Sequence, residues 1–121
     1  MKITPVSIED IYKVSKILNI EFDDLNKRFF NKQKGICLYE TLDGEIFFKG
    51  AALFNNDELE DIKCEDDNEN YYKYLIRNLP KTVFKTKVNG NMESLIKVLK
   101  SYSFLEKYSD NEYVLLERKK C

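Results

Sequence analysis

The chain has 121 residues, with 20 basic and 21 acidic side chains and a formal net charge of −1, and it contains no histidine and no tryptophan. Its charge is balanced and lacks a basic arm, which argues against nucleic acid as a partner. The absence of histidine excludes Ser-His-Asp and Cys-His nucleophilic sites, as well as metal sites that use histidine. Any acid or base must therefore be Asp, Glu, Tyr, Lys, Cys or a chain terminus.

The cysteines and the apolar runs indicate the compartment. Cys37, Cys64 and Cys121 are odd in number and form no CxxC pattern, so neither a disulfide framework nor a zinc site is expected. Cys37 lies in an apolar run and is predicted to be a small core residue. No run reaches the roughly 18 residues of a membrane helix, and the N-terminus shows no apolar stretch with a cleavage site. We expect one cytoplasmic domain over residues 1–121, with no metal and no membrane partner.

The first third of the chain predicts a strand followed by two helices. Residues 2–6 are β-prone, and Ser7 with Asp10 three residues later marks a helix start. A second helix is predicted over residues 21–31, and Gly35 is expected to mark its end. The side chains predicted to share its buried face are Phe22, Leu25 and Phe29.

In the middle of the chain, the apolar residues change from helical spacing to a period of two, which is typical of strands. Asp43-Gly44 separates the β-prone run 36–40 from the run 46–54, which is the pattern of a β-hairpin with a tight turn. Gly50 interrupts the second run and predicts a bulge. A third strand is expected over residues 59–64.

The second half alternates helices and strands. The predicted elements are a polar loop over 65–70, a helix over 71–79 that Pro80 ends, a strand over 82–88, a turn over 89–91, a helix over 92–102, and strands over 104–108 and 113–116. The whole order is β-α-α-β-β-β-α-β-α-β-β. This order requires a mixed sheet with helices on its faces, an α/β (α+β) fold.

Two segments carry a resemblance to a known family. GICLYETLDGEIFFKGAALF follows two helices, and NGNMESLIKVLKSYSFLEKYSDNEYVLLERKK closes the chain. This layout resembles the GNAT family of acyl-CoA N-acyltransferases, in which the final third has an Asn-containing turn, here Asn91, and a Gly-Phe pair, here Ser103-Phe104. The resemblance implies a mostly antiparallel mixed sheet flanked by helices, with acetyl-CoA as the family's cofactor.

The loop that would hold the coenzyme departs from the family pattern. GNAT enzymes bind pyrophosphate with Q/R-x-x-G-x-G/A at a helix N-terminus. The matching residues 64–70, Cys-Glu-Asp-Asp-Asn-Glu-Asn, have no glycine, no arginine and four carboxylates. We expect these carboxylates to cap the helix N–H groups and to repel a pyrophosphate, so that no cofactor is bound. The same residues lack the spacing of a calcium loop, so no metal is predicted here.

Two further positions concern catalysis. The family's general-acid tyrosine falls on Leu99, which has no proton to give, and nearby Tyr102 is expected to pack instead. A base would have to come from the fourth strand, where Glu58, Glu60 and Asp61 are available and Glu60 is the candidate.

Three functions remain open from the sequence. The first is a degenerate GNAT-like domain that binds a protein or small ligand without catalysis, with the cleft between the fourth and fifth strands free to accept a peptide strand. The alternative is a divergent N-acetyltransferase that moves an acetyl group from acetyl-CoA to an amine. Its residues would be Glu60 as base, with Cys64, Asn68, Asn70 and Asn91 near the cofactor. The third is a subunit whose partner supplies the missing parts.

Overall fold

A computed structural model describes residues 1–119. Within that range seven strands form one sheet in the order β1-β2-β3-β4-β5-β7-β6. The strands are β1 (Lys2–Pro5), β2 (Lys34–Leu42), β3 (Glu45–Phe54), β4 (Glu58–Cys64), β5 (Lys85–Asn89), β6 (Leu105–Ser109) and β7 (Tyr113–Glu117). The helices are α1 (Ile11–Leu18), α2 (Phe22–Phe30), α3 (Glu69–Arg77) and α4 (Glu93–Ser101). The predicted order of elements is confirmed, and in the described range only β4 and β5 pair in parallel.

The sheet buries one cluster of side chains on each face, because neighbouring residues of a strand point in opposite directions. Ala52 belongs to the larger cluster under α3 and α4, which includes Tyr72 and Leu99. The next residue, Leu53, belongs to the cluster under α1 and α2. Cys37 lies in this second cluster and is fully buried, as predicted, and burial raises the pKa of its thiol to about 12.

The β2–β3 hairpin turns as the sequence predicts. Asp43 and Gly44 have φ angles of 52° and 80°, the two positive values that a tight hairpin turn needs. The predicted bulge is present, and its extra residue is Lys49, next to Gly50. Gly50 itself packs against β4, where a Cβ would lie 2.7 Å from Cys64 Sγ. The glycine is therefore required by close packing between two strands.

The N-terminus of α1 is tied to the sheet through one buried carboxylate. Asp10 accepts hydrogen bonds from the Ser7 backbone N–H at 2.8 Å and the Ser7 hydroxyl at 2.9 Å, and also from the Tyr39 hydroxyl on β2. Ser7 begins a 3-10 turn that leads into α1. Burial would raise the pKa of Asp10, but the bonds from Tyr39 and Ser7 outweigh it and lower that pKa.

Two details of the second helix differ from the prediction. α2 ends at Phe30, and Gly35 lies inside β2 rather than at the helix end. Leu25 is fully buried, but Phe22 is 44% exposed. The first turn of α2 faces solvent, because Asp23 and Asp24 occupy it and only one face of a short helix can reach the sheet.

The strand predicted over 82–88 begins later, at Lys85. Pro80 ends the preceding segment, and the Val83 N–H bonds back to the Pro80 carbonyl. The Phe84 N–H then donates to the Asp57 carbonyl at 2.8 Å. These bonds make residues 82–84 a connecting loop, despite their β-prone side chains. In the described range, no helix combines the length and apolar character needed to cross a membrane.

Candidate ligand crevice

The parallel strands β4 and β5 pair at one end and separate toward the other. Their pairs are Glu58 with Lys85 and Leu59 with Thr86. Beyond these rungs the strands diverge, and a cavity of about 540 Å³ lies between them. We name this cavity the crevice. Its volume lies in the range of small-ligand sites.

Two local features lie where the crevice begins. The pairing of β3 with β4 skips Glu60, since Leu53 pairs with Asp61 and Phe54 pairs with Leu59. This bulge bends β4 at the point where it leaves β5. The buried Thr86 hydroxyl also donates to the Leu59 carbonyl at 2.9 Å. This side-chain bond satisfies the carbonyl where the ladder of backbone hydrogen bonds stops.

The crevice has an apolar floor and a polar rim. The floor comes from apolar side chains on both strands, on α4 and at the N-cap of α4, namely Leu59, Ile62, Val88, Met92 and Leu95. The rim consists of Asn19, Glu60, Asp61, Lys63, Lys87, Asn89 and Asn91. Such a lining suits a ligand with both apolar groups and amide or hydroxyl groups.

The carboxylates on the β4 rim are held by the second helix. Arg28 Nη2 lies 3.1 Å from Asp61 Oδ2 and 3.7 Å from Glu60 Oε2. Gln33 Nε2 donates to Glu60 Oε1 at 3.0 Å. The candidate base Glu60 therefore lies on the crevice with a carboxylate that two protein groups already contact.

The acidic turn, residues 65–69, ends β4 and leads into α3. Three of its carboxylates form ion pairs with lysines: Glu65 with Lys49 at 3.3 Å, Asp67 with Lys63 at 2.6 Å, and Glu69 with Lys97 at 3.1 Å. The Tyr72 hydroxyl also donates to Asp67 at 2.7 Å. The hydrogen bonds from Lys63 and Tyr72 lower the pKa of Asp67, so it stays ionised at neutral pH.

The helix N-terminus at this turn is capped by an amide, and the expectation that carboxylates cap it is wrong. Asn68 Oδ1 accepts from the backbone N–H groups of Asn70 at 2.9 Å and Tyr71 at 3.3 Å. These are the donors that a bound phosphate would need. Because the donors are occupied and ionised carboxylates surround them, residues 65–70 do not fit a coenzyme pyrophosphate.

The structure places some of the predicted site residues on the crevice and the others outside it. Glu60 and Asn91 both line the crevice. Cys64, Asn68 and Asn70 lie outside its lining. Cys64 is fully buried, and burial raises the pKa of its thiol above the ordinary value.

The position of the family's general acid carries no acid here. Leu99 is fully buried in the larger core cluster, and Tyr102 packs against the same cluster as a half-buried side chain. Sequence reasoning missed Asn19 and Thr86 as crevice residues. Asn19 ends α1 with a φ of 56°, and an asparagine directly after an amphipathic helix is the sequence signal that could have found it.

The two outer edges of the sheet are protected against further pairing. β1 carries Lys2 and Pro5, and β6 carries Glu106 and a bulge at Lys107. Charges, proline and bulges are the usual means of blocking strand addition at an edge. Strand addition is therefore better supported inside the crevice than at either outer edge.

No family model matches the sequence, and no curated protein matches it significantly. Several solved structures do match its fold. A spermidine N-acetyltransferase SpeG chimera from Vibrio cholerae and hSSAT has a TM-score of 0.67 at 12% identity, covering 98% of this chain and 96% of that one. The chain has the GNAT fold. A GNAT-family acetyltransferase from Bacillus cereus aligns with a TM-score of 0.65 at 16% identity, over 99% of this chain and 97% of that one.

The third structure is Campylobacter jejuni N-acetyltransferase PseH in complex with acetyl coenzyme A, with a TM-score of 0.62, 14% identity and 99% coverage of both chains. The GNAT fold is therefore present over nearly the full length of each neighbour. At this identity the likeness concerns the fold, and the chemistry must be argued from the crevice and the acidic turn.

Proposed function

We propose that this chain is a non-catalytic GNAT-fold module that binds an extended peptide segment in the crevice. The observation that carries the proposal is the contrast between the open crevice and the capped acidic turn. The crevice between β4 and β5 is open, with an apolar floor and a rim of amide and charged side chains. In the acidic turn beside it, Asn68 caps two N–H groups of α3, and three of the four carboxylates form ion pairs.

An extended peptide suits this crevice for two reasons. Two strands that separate within a sheet leave backbone donors and acceptors for an added strand, and the side chains of that strand can alternate between the floor and the rim. The outer edges of the sheet are blocked by charge, proline and a bulge. We therefore expect the ligand to enter between β4 and β5.

The first test is coenzyme binding. Calorimetry with acetyl-CoA should detect no binding with a dissociation constant in the micromolar range. Such a constant would correspond to a binding free energy of roughly −8 kcal/mol. Micromolar binding would contradict the proposal.

The second test is peptide binding, with heptapeptides selected by phage display. Asn91→Trp fills the crevice and should abolish binding of the selected peptide, whereas Asn111→Trp, on the exposed β6–β7 turn, should leave it unchanged.

A second candidate is an N-acetyltransferase that moves an acetyl group from acetyl-CoA to an amine. It is favoured by the presence of Glu60 on the crevice, together with structural neighbours named as acetyltransferases, one of them in complex with acetyl coenzyme A. Glu60 would accept the proton of the amine. The coenzyme pyrophosphate would need contacts outside residues 65–70.

Mass spectrometry of a panel of amines, spermidine included, separates the two candidates. The binding module should give no acetylated product above the rate without protein. Turnover that Glu60→Gln abolishes and Glu58→Gln retains would replace the first proposal with the second. Glu58 is the matched control because it lies on the same strand but outside the crevice lining.

A further inference from the structure

A second cavity lies between α1 and β3, apart from the crevice floor. Its volume is about 410 Å³, within the range of small-ligand sites. We name it the α1 groove. It is lined by Tyr12, Lys13, Lys16, Ile17, Phe48 and Glu65. Ile17 on α1 lines both cavities.

The α1 groove presents two ammonium groups without acidic partners. Lys13 Nζ lies 5.3 Å from the centroid of the Tyr39 ring, and Lys16 Nζ lies 5.0 Å from the centroid of the Tyr12 ring. Neither lysine forms an ion pair with any residue in the range 1–119. A ring face attracts an ammonium group but carries no formal negative charge, so the positive charge of each lysine is not neutralised by its ring contact.

The nearby carboxylates are already bound. Both Glu65 oxygens lie 3.3 Å from Lys49 Nζ. Asp10, whose charge acts on Lys13, accepts from Ser7 and Tyr39. These bonds go to groups other than Lys13 and Lys16, and Glu9, whose charge also acts on Tyr39, forms no ion pair with either lysine within residues 1–119.

The groove also presents flat aromatic surface. Tyr12 is 58% exposed. The Phe48 ring is half-buried and is fixed edge-to-face against Tyr39, with centroids 5.6 Å apart and an interplanar angle of 68°. A ring held in this way offers a fixed surface for stacking.

We propose that the α1 groove is a binding site for a planar aromatic anion. The exposed rings provide the surface for the planar part, and Lys13 with Lys16 neutralises the negative group. A cation of the same shape would meet two ammonium groups, and a neutral ring would leave them uncompensated. The site goes beyond the proposed function, because neither crevice residues other than Ile17 nor the acidic turn's helix cap take part.

The test is a titration followed by amide NMR, with naphthalene-2-sulfonate as the probe. Chemical shift changes should concentrate on residues 12–17 and Phe48. The matched cation, 2-naphthylmethylammonium, should bind at least several-fold more weakly. Lys13→Gln and Lys16→Gln should each weaken the anion by roughly two- to fivefold, the effect of removing one partly exposed charge partner.

The control is Lys73→Gln, which removes the same charge from an exposed position on α3. It should leave the affinity unchanged. The proposal fails if the cation binds as tightly as the anion, if the shift changes fall elsewhere, or if Lys73→Gln weakens binding as much as the groove variants. Failure here leaves the crevice untouched, because the peptide test uses Asn91→Trp.

Discussion

Gly50 is the position where the packing of the sheet can be tested most directly. A Cβ on Gly50 would lie 2.7 Å from Cys64 Sγ, 2.9 Å from the Lys63 carbonyl oxygen and 3.2 Å from Cys64 Cα. Two of these three atoms belong to the backbone of β4 and cannot rotate away. The substitution Gly50→Ala should therefore push β3 and β4 apart at the rung that leads into the acidic turn.

The magnitude follows from two opposing effects. Overpacking in a filled core costs about 1–3 kcal/mol. The loss of backbone freedom in the unfolded chain returns about 0.4–1 kcal/mol. Gly50→Ala should therefore lower the free energy of unfolding by about 1–2 kcal/mol, and Tm by roughly 3–10 °C for a chain of this size.

The matched control is Gly90→Ala. A Cβ there would lie 3.6 Å from the Glu112 carbonyl oxygen and 3.9 Å from Val114 Cγ2, which are ordinary contact distances. Its unfolding free energy should stay unchanged or rise by up to about 1 kcal/mol. Urea unfolding of both variants measures the difference. Equal midpoints for Gly50→Ala and Gly90→Ala would refute the argument that β4 blocks a side chain at Gly50.

The remaining predictions concern a helix cap, a carboxylate and the acidic turn. Asn68→Ala removes the acceptor for two N–H groups of α3 and should destabilise the chain by about 1 kcal/mol in urea unfolding, with no effect if the cap contributes nothing. The pKa of Asp10 is lower in the folded chain than in the unfolded chain. Its contribution to the free energy of unfolding is therefore fully present above about pH 4, and it is lost as the pH falls through the pKa of the folded state. Tyr39→Phe should unfold more easily at neutral pH but lose less stability than the parent on acidification, and an unchanged acid slope would contradict this. Asp66 has a φ of 58°, so Asp66→Gly should relieve strain and raise stability, whereas Asp66→Ala should not. If charge alone repels the coenzyme, both variants should bind acetyl-CoA more tightly than the parent in calorimetry. Unchanged affinity in both variants would show that the charge of Asp66 is not the obstacle.

The sequence predicted the fold well because its elements are marked by local signals. Asp43-Gly44 permits the two positive φ angles of the hairpin turn, and Ser7 with Asp10 marks the start of the first helical segment. The late start of β5 at Lys85 was not predictable in the same way. It depends on a hydrogen bond between Phe84 and Asp57, two residues far apart in the chain.

The candidate site was predicted less completely, because its residues are brought together by the divergence of two strands. Glu60 was proposed from its place on the fourth strand, but nothing local shows that it is the bulged residue of β4. Thr86 reads as an ordinary strand residue, and only the structure reveals its bond to the Leu59 carbonyl. Cys64, Asn68 and Asn70 are predicted near the cofactor because they lie in the segment that matches the family's phosphate loop, whereas the structure buries Cys64, uses Asn68 as a helix cap and leaves all three outside the crevice lining.

The crevice and the acidic turn depend on different residues. The crevice can therefore stay open whether or not the turn is able to bind a phosphate. The bulge at Glu60 and the bond from the Thr86 hydroxyl to the Leu59 carbonyl lie at the narrow end of the crevice, where β4 and β5 begin to separate. The phosphate contact depends on free N–H groups at the start of α3, where Asn68 now occupies two of them. A change in the turn therefore removes pyrophosphate capture without closing the cavity. Under the proposed function, the specificity for an extended ligand therefore depends on the rim and the floor of the crevice.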